Sequence, residues 1–218
     1  MIAIIQARMS SRRFPGKVLA PFHGRPIIAH VCDRVGGVLG RDAVVVATSL
    51  EPSDDPLVAY LDSLGIASHR GPLDDVLGRF VSCARGYPGR AVLRISADSP
   101  ALDEAVIRRV VAEATAHDVD LVTTTCPRTF PKGTNAEILS AAALVRLDRL
   151  ATTPHHREHV TAYAYEHPDE FTISNVTSGD PGLAATSVAV DTVEDLIRLE
   201  AATADCLAGE PCLAAQPC

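Results

Sequence analysis

Ile2–Leu19 reads IAIIQARMSSRRFPGKVL, a compact apolar run that ends abruptly in a cationic loop. Ile2 to Ala7 is short, bounded by polar residues and rich in β-branched side chains, the pattern of a buried strand. The loop that follows carries Arg8, Arg12, Arg13, Gly16 and Lys17. Between Met1 and Cys32 there are five Arg or Lys residues and no Asp or Glu, whereas the whole chain has a net charge of −7, so the remainder stands at −12. An acidic chain that gathers positive charge in one glycine-containing loop is expected to use it on a small, highly charged anion, not a long polyanion.

Outward from this stretch the chain alternates strand and helix. Pro26 suits a first helical position, and Ile27, Ile28, Val31 and Val35 give a helix from Pro26 to about Val35, ended by Gly36 and Gly37. Ala43 to Ser49 is a second buried strand, and Asp55 to Leu64 a helix stopped by Gly65. A brief strand near Ala67 leads to a helix whose first turn holds Pro72, Asp74 and Asp75, where acid suits the helix dipole. Ala91 to Ile95 is a third strong strand, Asp103 caps a helix through Val111, and Asp120 to Thr125 is another strand. This order predicts a three-layer α/β/α fold with a mostly parallel, Rossmann-like sheet.

After Cys126 the pattern is less regular. Asn135 to Leu139 is a candidate strand and Ser140 to Leu150 a helix. A His-rich segment follows with His155, His156, His159 and His167, then candidate strands at Phe171 to Val176 and Ser187 to Val190. Thr192 opens a final helix, with Asp195 completing a capping box. The expectation is one domain over 1–218 with an elaborated C-terminal third: a regular part at 1–125, a less regular part at 126–190, and a final helix and tail at 191–218.

Bulk properties exclude several classes. The 218 residues are 47% hydrophobic and 22% charged, ordinary for a globular protein. Twenty basic against 27 acidic residues argue against general nucleic-acid binding. No stretch approaches the roughly 18 apolar residues of a membrane span, and no signal-peptide layout is present, so no membrane partner and a cytoplasmic location are expected. Cys32, Cys83, Cys126, Cys206, Cys212 and Cys218 form no CxxC pair and no zinc spacing, and read as reduced thiols.

The chemistry is expected where open parallel sheets bind ligands, outside the carboxyl ends of the strands. Three features land there: the basic loop, Asp98 after the strand Ala91 to Ile95, and Asp191 after Ser187 to Val190. Each alone has an ordinary explanation, as a solvated loop, a turn former or a helix start. Together they supply cations for a polyphosphate and two carboxylates that could hold Mg²⁺, as nucleotidyl transfer requires. Neither GxxxxGK[ST] nor GxGxxG occurs in the loop, so the triphosphate cradle is neither a P-loop nor a dinucleotide fingerprint.

The residues resemble a known family. ARMSSRRFPGKVL at Ala7 to Leu19 is similar to the signature of cytidylyltransferases related to the spore-coat polysaccharide protein SpsF and to CMP-Kdo and CMP-sialic acid synthetases. The resemblance continues through VVVATS (44–49), DDP (54–56), RGPLDDVLGRF (70–80), RISADSPALD (94–103), FPKGTNAEILSAAAL (130–144), REHVTAYAYEHPDEF (157–171) and VAVDTVEDL (188–196). It implies the fold of nucleotide-diphospho-sugar transferases and transfer of CMP from CTP with release of pyrophosphate. It assigns Ala7, Arg8, Ser10, Arg13, Gly16 and Lys17 to the triphosphate, and Arg70, Gly71, Asp75, Arg94, Ser96 and Ala97 to cytosine and ribose. Asp98 and Asp191 would bind Mg²⁺ and, with Lys17, carry catalysis.

Arg12, with Arg128, Lys132, Asn135, Glu137, Arg157, His159 and Tyr163, would meet the acceptor; the resemblance thus makes 1–125 the nucleotide-binding part and 126–190 the acceptor-binding part, a region that often contributes to a homodimer. Related sequences usually carry Thr and Leu where this chain has Arg12 and Phe14, and Asp where it has Asn135. Losing that carboxylate while gaining Arg12 suits a small anionic acceptor, a sugar acid of the Kdo or nonulosonate type or a small phosphonate such as phosphonoformate. Two rival readings are a nucleotide-sugar glycosyltransferase, although Ser96-Ala97-Asp98 offers one carboxylate where DxD offers two, and a non-catalytic nucleotide-binding protein.

Overall fold

A computed structural model describes residues 1–207, the side chains of 205–207 excepted. The readings of Cys206, Cys212 and Cys218 therefore concern side chains outside the described residues. The first strand, β1 (Ile2–Gln6), has four of its five residues buried and is paired on both edges. That accounts for its unbroken apolar run, because both of its faces are covered. A two-strand hairpin, β2 (Pro21–Phe22) and β3 (Arg25–Pro26), precedes helix α1 (Ile27–Leu39).

The order continues with β4 (Val44–Ser49), α2 (Asp55–Ser63), β5 (Ala67–Gly71), α3 (Val76–Ala84), β6 (Val92–Ser96), α4 (Glu104–Ala116) and β7 (Leu121–Thr123). The last third contains β8 (Ala136–Leu139), α5 (Ala141–Leu150), the one-turn helices α6 (Pro154–Glu158) and α7 (Ala162–Glu166), β9 (Ile173–Asn175) and α8 (Val193–Leu207).

The seven-stranded sheet has the order β5-β4-β1-β6-β8-β7-β9. Only β8 runs against the others, pairing antiparallel with both β6 and β7. The period-two alternation of the strands divides the core into two layers. Ala3 and Ile5 of β1 pack with Val31 and Val35 of α1, Leu57 and Leu61 of α2, and Ile107 of α4. Ile2 and Ile4 face the opposite side, toward Leu77 and Phe80 of α3 and Leu144 and Leu147 of α5. The expected three-layer, mostly parallel fold is therefore the observed one. No helix among the described residues is long and apolar enough to cross a membrane.

Several boundaries differ from the sequence expectation. Helix α1 does not end at Gly36 and Gly37 but runs to Leu39 with Gly40 after it. Val38 and Leu39, beyond the two glycines, still pack against the core, which offsets a propensity cost of about 1 kcal/mol per interior glycine. Pro72 and Asp74 lie before α3, and Asp75 is its N-cap, accepting from the Gly78 N–H at 2.8 Å. Ser187 to Val190 does not join the sheet. It is held by one bridge, Lys132 to Ser187, with the Val188 N–H donating to the Lys132 carbonyl at 2.8 Å. Pro131, beside that bridge, has no N–H to extend a ladder.

The cap expectations hold: Asp103 accepts from the Ala105 N–H at 2.7 Å, and Thr192 and Asp195 exchange the two bonds of a capping box. Cys32 and Cys83 are buried free thiols, their pKa values pushed up by burial to about 12 and about 11.

Gly133 fixes how closely the 187–190 segment approaches the sheet. Its φ is +99°, and an added Cβ would lie 2.6 Å from the Ala189 nitrogen. Gly133→Ala is expected to cost at least about 2 kcal/mol and to lower Tm by roughly 5 °C or more in a thermal melt.

Candidate active site

The site begins with charge placement at the carboxyl ends of β1 and β6, which are adjacent and parallel. The loop leaving β1 turns on Met9, whose carbonyl accepts from the Ser11 N–H at 3.0 Å and the Gly16 N–H at 2.8 Å. Gly16, at φ +73°, occupies the left-handed region and opens a single 3₁₀ turn, Lys17–Leu19. Val18 is buried, which points the neighbouring Lys17 toward the strand ends.

The Lys17 ammonium donates to Asp98 Oδ2 at 3.0 Å, Asp191 Oδ1 at 3.1 Å and the Val190 carbonyl at 2.8 Å. Asp98 lies two residues beyond the end of β6. Its carbonyl accepts the Val190 N–H at 2.8 Å, which brings Asp191 alongside. The Asp191 backbone N–H is in turn held by Asp195, at 3.1 Å.

Asp191 is the most heavily compensated acid of the group. Lys132 binds its Oδ2 at 2.6 Å and Arg13 binds the same oxygen at 2.9 Å. Burial alone would push its pKa up, but hydrogen bonds from Lys132 and Lys17 and their positive charge bring it down to about 2. Two carboxylates thus converge on one cation. Their hard oxygens suit Mg²⁺, which commonly binds one or two protein carboxylates and completes its shell with substrate phosphates and water.

A cavity of about 660 Å³ lies over these groups. Arg8, Arg12, Arg13, Lys17, Arg79 and Arg94 on its wall outnumber Asp74, Asp98, Glu158 and Asp191, for a net charge of +2 with His159 neutral. Ala7, Ser10, Ser96 and Ala97 also line it. A second cavity, of about 360 Å³, adjoins it and shares Arg94 and His159. Its wall includes Thr125, Arg128, Asn135, Glu137, His155, Thr161 and Tyr165. Glu137 is buried and accepts hydrogen bonds from Arg94, Tyr165 and Thr161, so its charge is satisfied inside the wall. The Arg128 guanidinium donates to the neutral Asn135 Oδ1 at 2.6 Å and keeps its net charge.

Not every sequence-selected residue reaches these cavities. Arg12, expected at the acceptor, is on the larger cavity beside Arg13, and Lys132 is spent on Asp191. Arg70 donates to the Ser49 and Glu51 carbonyls, each at 2.8 Å, and to Asp55 at 2.7 Å, pinning the β4–α2 connection. Gly71 sits against Arg79, where a Cβ would come within 2.9 Å of that side chain.

Asp75 caps α3 and forms a two-point pair with Arg157 at 2.7 and 2.8 Å. Arg157 also binds Asp148 at 2.8 Å, and two carboxylates claiming one guanidinium explain its structural placement between α3, α5 and α6. Tyr163 stacks on His167 with ring centroids 3.9 Å apart, whereas Tyr165 turns to the smaller cavity. Burial, reinforced by Glu137, raises the Tyr165 pKa and keeps its hydroxyl protonated.

Three contributors escaped sequence reasoning. Arg79 is a buried cation within the apolar run of α3, donating to the Pro72 carbonyl at 2.6 Å, and its presence in that run was the available signal. Thr161 and Tyr165 sit in a segment without clear periodicity.

Comparison with known proteins identifies the family and the fold. Residues 2–204 match the family model described as cytidylyltransferase. The chain belongs to that family. It is 30% identical over 207 residues to the spore coat polysaccharide biosynthesis protein SpsF of Bacillus subtilis, spanning 92% of this chain and 85% of that one. A cytidylyltransferase structure from Leptospira borgpetersenii superposes with a TM-score of 0.89 at 27% identity, covering 94% of this chain and 86% of the other. A CMP:2-keto-3-deoxy-manno-octonic acid synthetase solved with CTP gives a TM-score of 0.72, covering 94% and 98% of the two chains. At 17% identity it speaks to the fold alone.

The Asp191 environment has a measurable consequence. Its folded pKa is depressed, so the stability it contributes is present above the ordinary value of 3.8 and is lost as pH falls toward about 2. Asp191→Asn is expected to be about 2 kcal/mol less stable than wild type near pH 6, with the gap narrowing below pH 4. Denaturant unfolding across this range checks the trend; a gap that stays constant on acidification would contradict it.

Proposed function

We propose that this cytidylyltransferase transfers CMP from CTP to a small anionic acceptor and releases pyrophosphate. The observation that carries the reading is the Lys17 ammonium held between Asp98 and Asp191 on the wall of a cationic cavity that adjoins a smaller polar one. The larger cavity takes CTP, with Arg8, Ser10, Arg13 and Lys17 along the triphosphate and Ser96 and Ala97 toward the nucleoside. Arg12 adds a further cation to this side.

The smaller cavity takes the acceptor. Arg128, whose charge Asn135 leaves uncompensated, meets the acceptor's carboxylate or phosphonate. A sugar acid and a small phosphonate both satisfy this requirement. His159 and Arg94 stand where the two substrates meet.

In the reaction an acceptor oxygen forms a bond to the α-phosphorus, and the bond to the bridging oxygen toward the β-phosphorus breaks. Pyrophosphate leaves with that electron pair, and a proton on an attacking hydroxyl passes to solvent. The chain's own work is electrostatic: cations already in place neutralise charge that builds on the phosphates, and two adjoining cavities fix the line of attack. Asp98 and Asp191 are the residues that would hold Mg²⁺, which supplies a positive charge for the transferring phosphoryl oxygens. Lys17 then turns from the carboxylates to the triphosphate.

Pyrophosphate release with CTP, assayed over sugar acids and small phosphonates and followed by mass analysis of the product, tests the assignment. A CMP adduct of one acceptor is the expected result, and nucleoside diphosphate from a sugar nucleotide would replace the reading with glycosyl transfer. Asp98→Asn is expected to lower kcat by about 10²-fold or more while changing CTP affinity far less. Lys17→Met removes the cation shared by Asp98 Oδ2 and Asp191 Oδ1, leaving Asp191 Oδ2 with Lys132 and Arg13, and Mn²⁺ titration followed by EPR is expected to show tighter metal binding without nucleotide; binding equal to wild type would remove the exchange role given to Lys17.

A further inference from the structure

The loop that delivers Lys17 is fastened to the sheet by a buried acid outside both cavities. Asp54 precedes α2 and has no solvent exposure. Its Oδ2 accepts from Thr48 Oγ1 at 2.7 Å, from the Ser49 N–H at 2.9 Å and from the Ser49 hydroxyl. These partners lie within six residues and tie together the turn that leaves β4. Its Oδ1 accepts from the Met9 N–H at 2.8 Å, across 45 residues of sequence.

Met9 is also the residue on which the basic loop closes, because its carbonyl receives the Gly16 N–H at 2.8 Å. One carboxylate therefore reaches Lys17 through two successive bonds, Asp54 to the Met9 N–H and the Met9 carbonyl to Gly16. A carboxylate can accept all four bonds at once. An amide in its place would have one accepting oxygen and an NH₂ group turned toward donors.

We propose that Asp54 is a positioning residue for the triphosphate, holding the Met9 peptide and, through it, the Gly16–Lys17 turn before nucleotide arrives. The role rests on the reading that this loop binds the triphosphate. Its effect is preorganisation: without the anchor, binding must also order the loop, and affinity for CTP falls by that cost.

The full-length wild type, Asp54→Asn and Thr48→Val are compared by calorimetric CTP affinity in the presence of Mg²⁺, KM for each substrate, thermal melting and amide exchange. Thr48→Val removes a donor from Oδ2 and leaves the Met9 contact intact, so it reports a purely structural loss at the same carboxylate. Asp54→Asn is expected to raise the Kd and KM for CTP about ten-fold or more, to leave the acceptor KM within about two-fold, and to speed exchange at Met9 and Gly16. Thr48→Val is expected to lower Tm with little change in CTP affinity.

Equal loss of CTP affinity in both variants, or none in Asp54→Asn, would overturn the proposal. Should Asp54→Asn not fold, the nucleotide-free wild type decides: the Met9 and Gly16 amides must already be protected, and free exchange there overturns the role. Wild type that shows protected amides but fails to bind CTP would remove the triphosphate reading instead.

Discussion

The structure depends at its working edge on one charge balance, the Lys17 ammonium between Asp98 and Asp191. These residues come from three distant parts of the chain: the loop after β1, the end of β6 and the connection into α8. The Lys17 side chain is only 12% exposed, so it could not be placed there without acidic partners. The carboxylates in turn could not sit beside each other without a cation. Each group is thus a condition for the position of the others, and Lys132 and Arg13 complete the balance around Asp191.

Packing, not the ion cluster, sets the frame on which this balance is built. β1 lies in the middle of the parallel part of the sheet, covered by α1, α2 and α4 on one side and α3 and α5 on the other. Burying each large aliphatic side chain there is worth about 1.5–3 kcal/mol, which makes its register hard to shift. The reversed strand β8 has a different consequence. By inserting between β6 and β7 it brings Glu137 opposite Arg94, and the smaller cavity is built on that pair. The last third of the chain is irregular because it wraps this cavity and cannot repeat a simple strand–helix unit.

Local chemistry was legible wherever a residue acts on its own neighbours. The apolar run of β1, the cap at Asp103 and the capping box at Thr192 depend on residues a few positions apart. The glycines of α1 were misread because propensity predicts a stop where packing across the sheet continues the helix. Arg157 and Arg70 lie off both cavity walls for a related reason: nothing local reveals that Asp75, Asp148 and Asp55 will claim them. Tyr163 and Tyr165 differ by two positions in a one-turn helix, and only packing determined which of them faces the cavity.

By itself the sequence determined the three-layer class, the parallel order of the early strands and the concentration of cations after β1, because these follow from periodicity and composition over short windows. It also placed Asp98 and Asp191 near strand ends, although the segment before Asp191 is not a strand of the sheet. Tertiary structure alone decided that Lys17 bridges the two acids, that Arg12 joins the larger cavity, and that Asp54 anchors Met9. The physical reason is range: hydrogen bonds and ion pairs across 45 to 174 residues are fixed by how the sheet stacks its strands, and no local pattern encodes their partners.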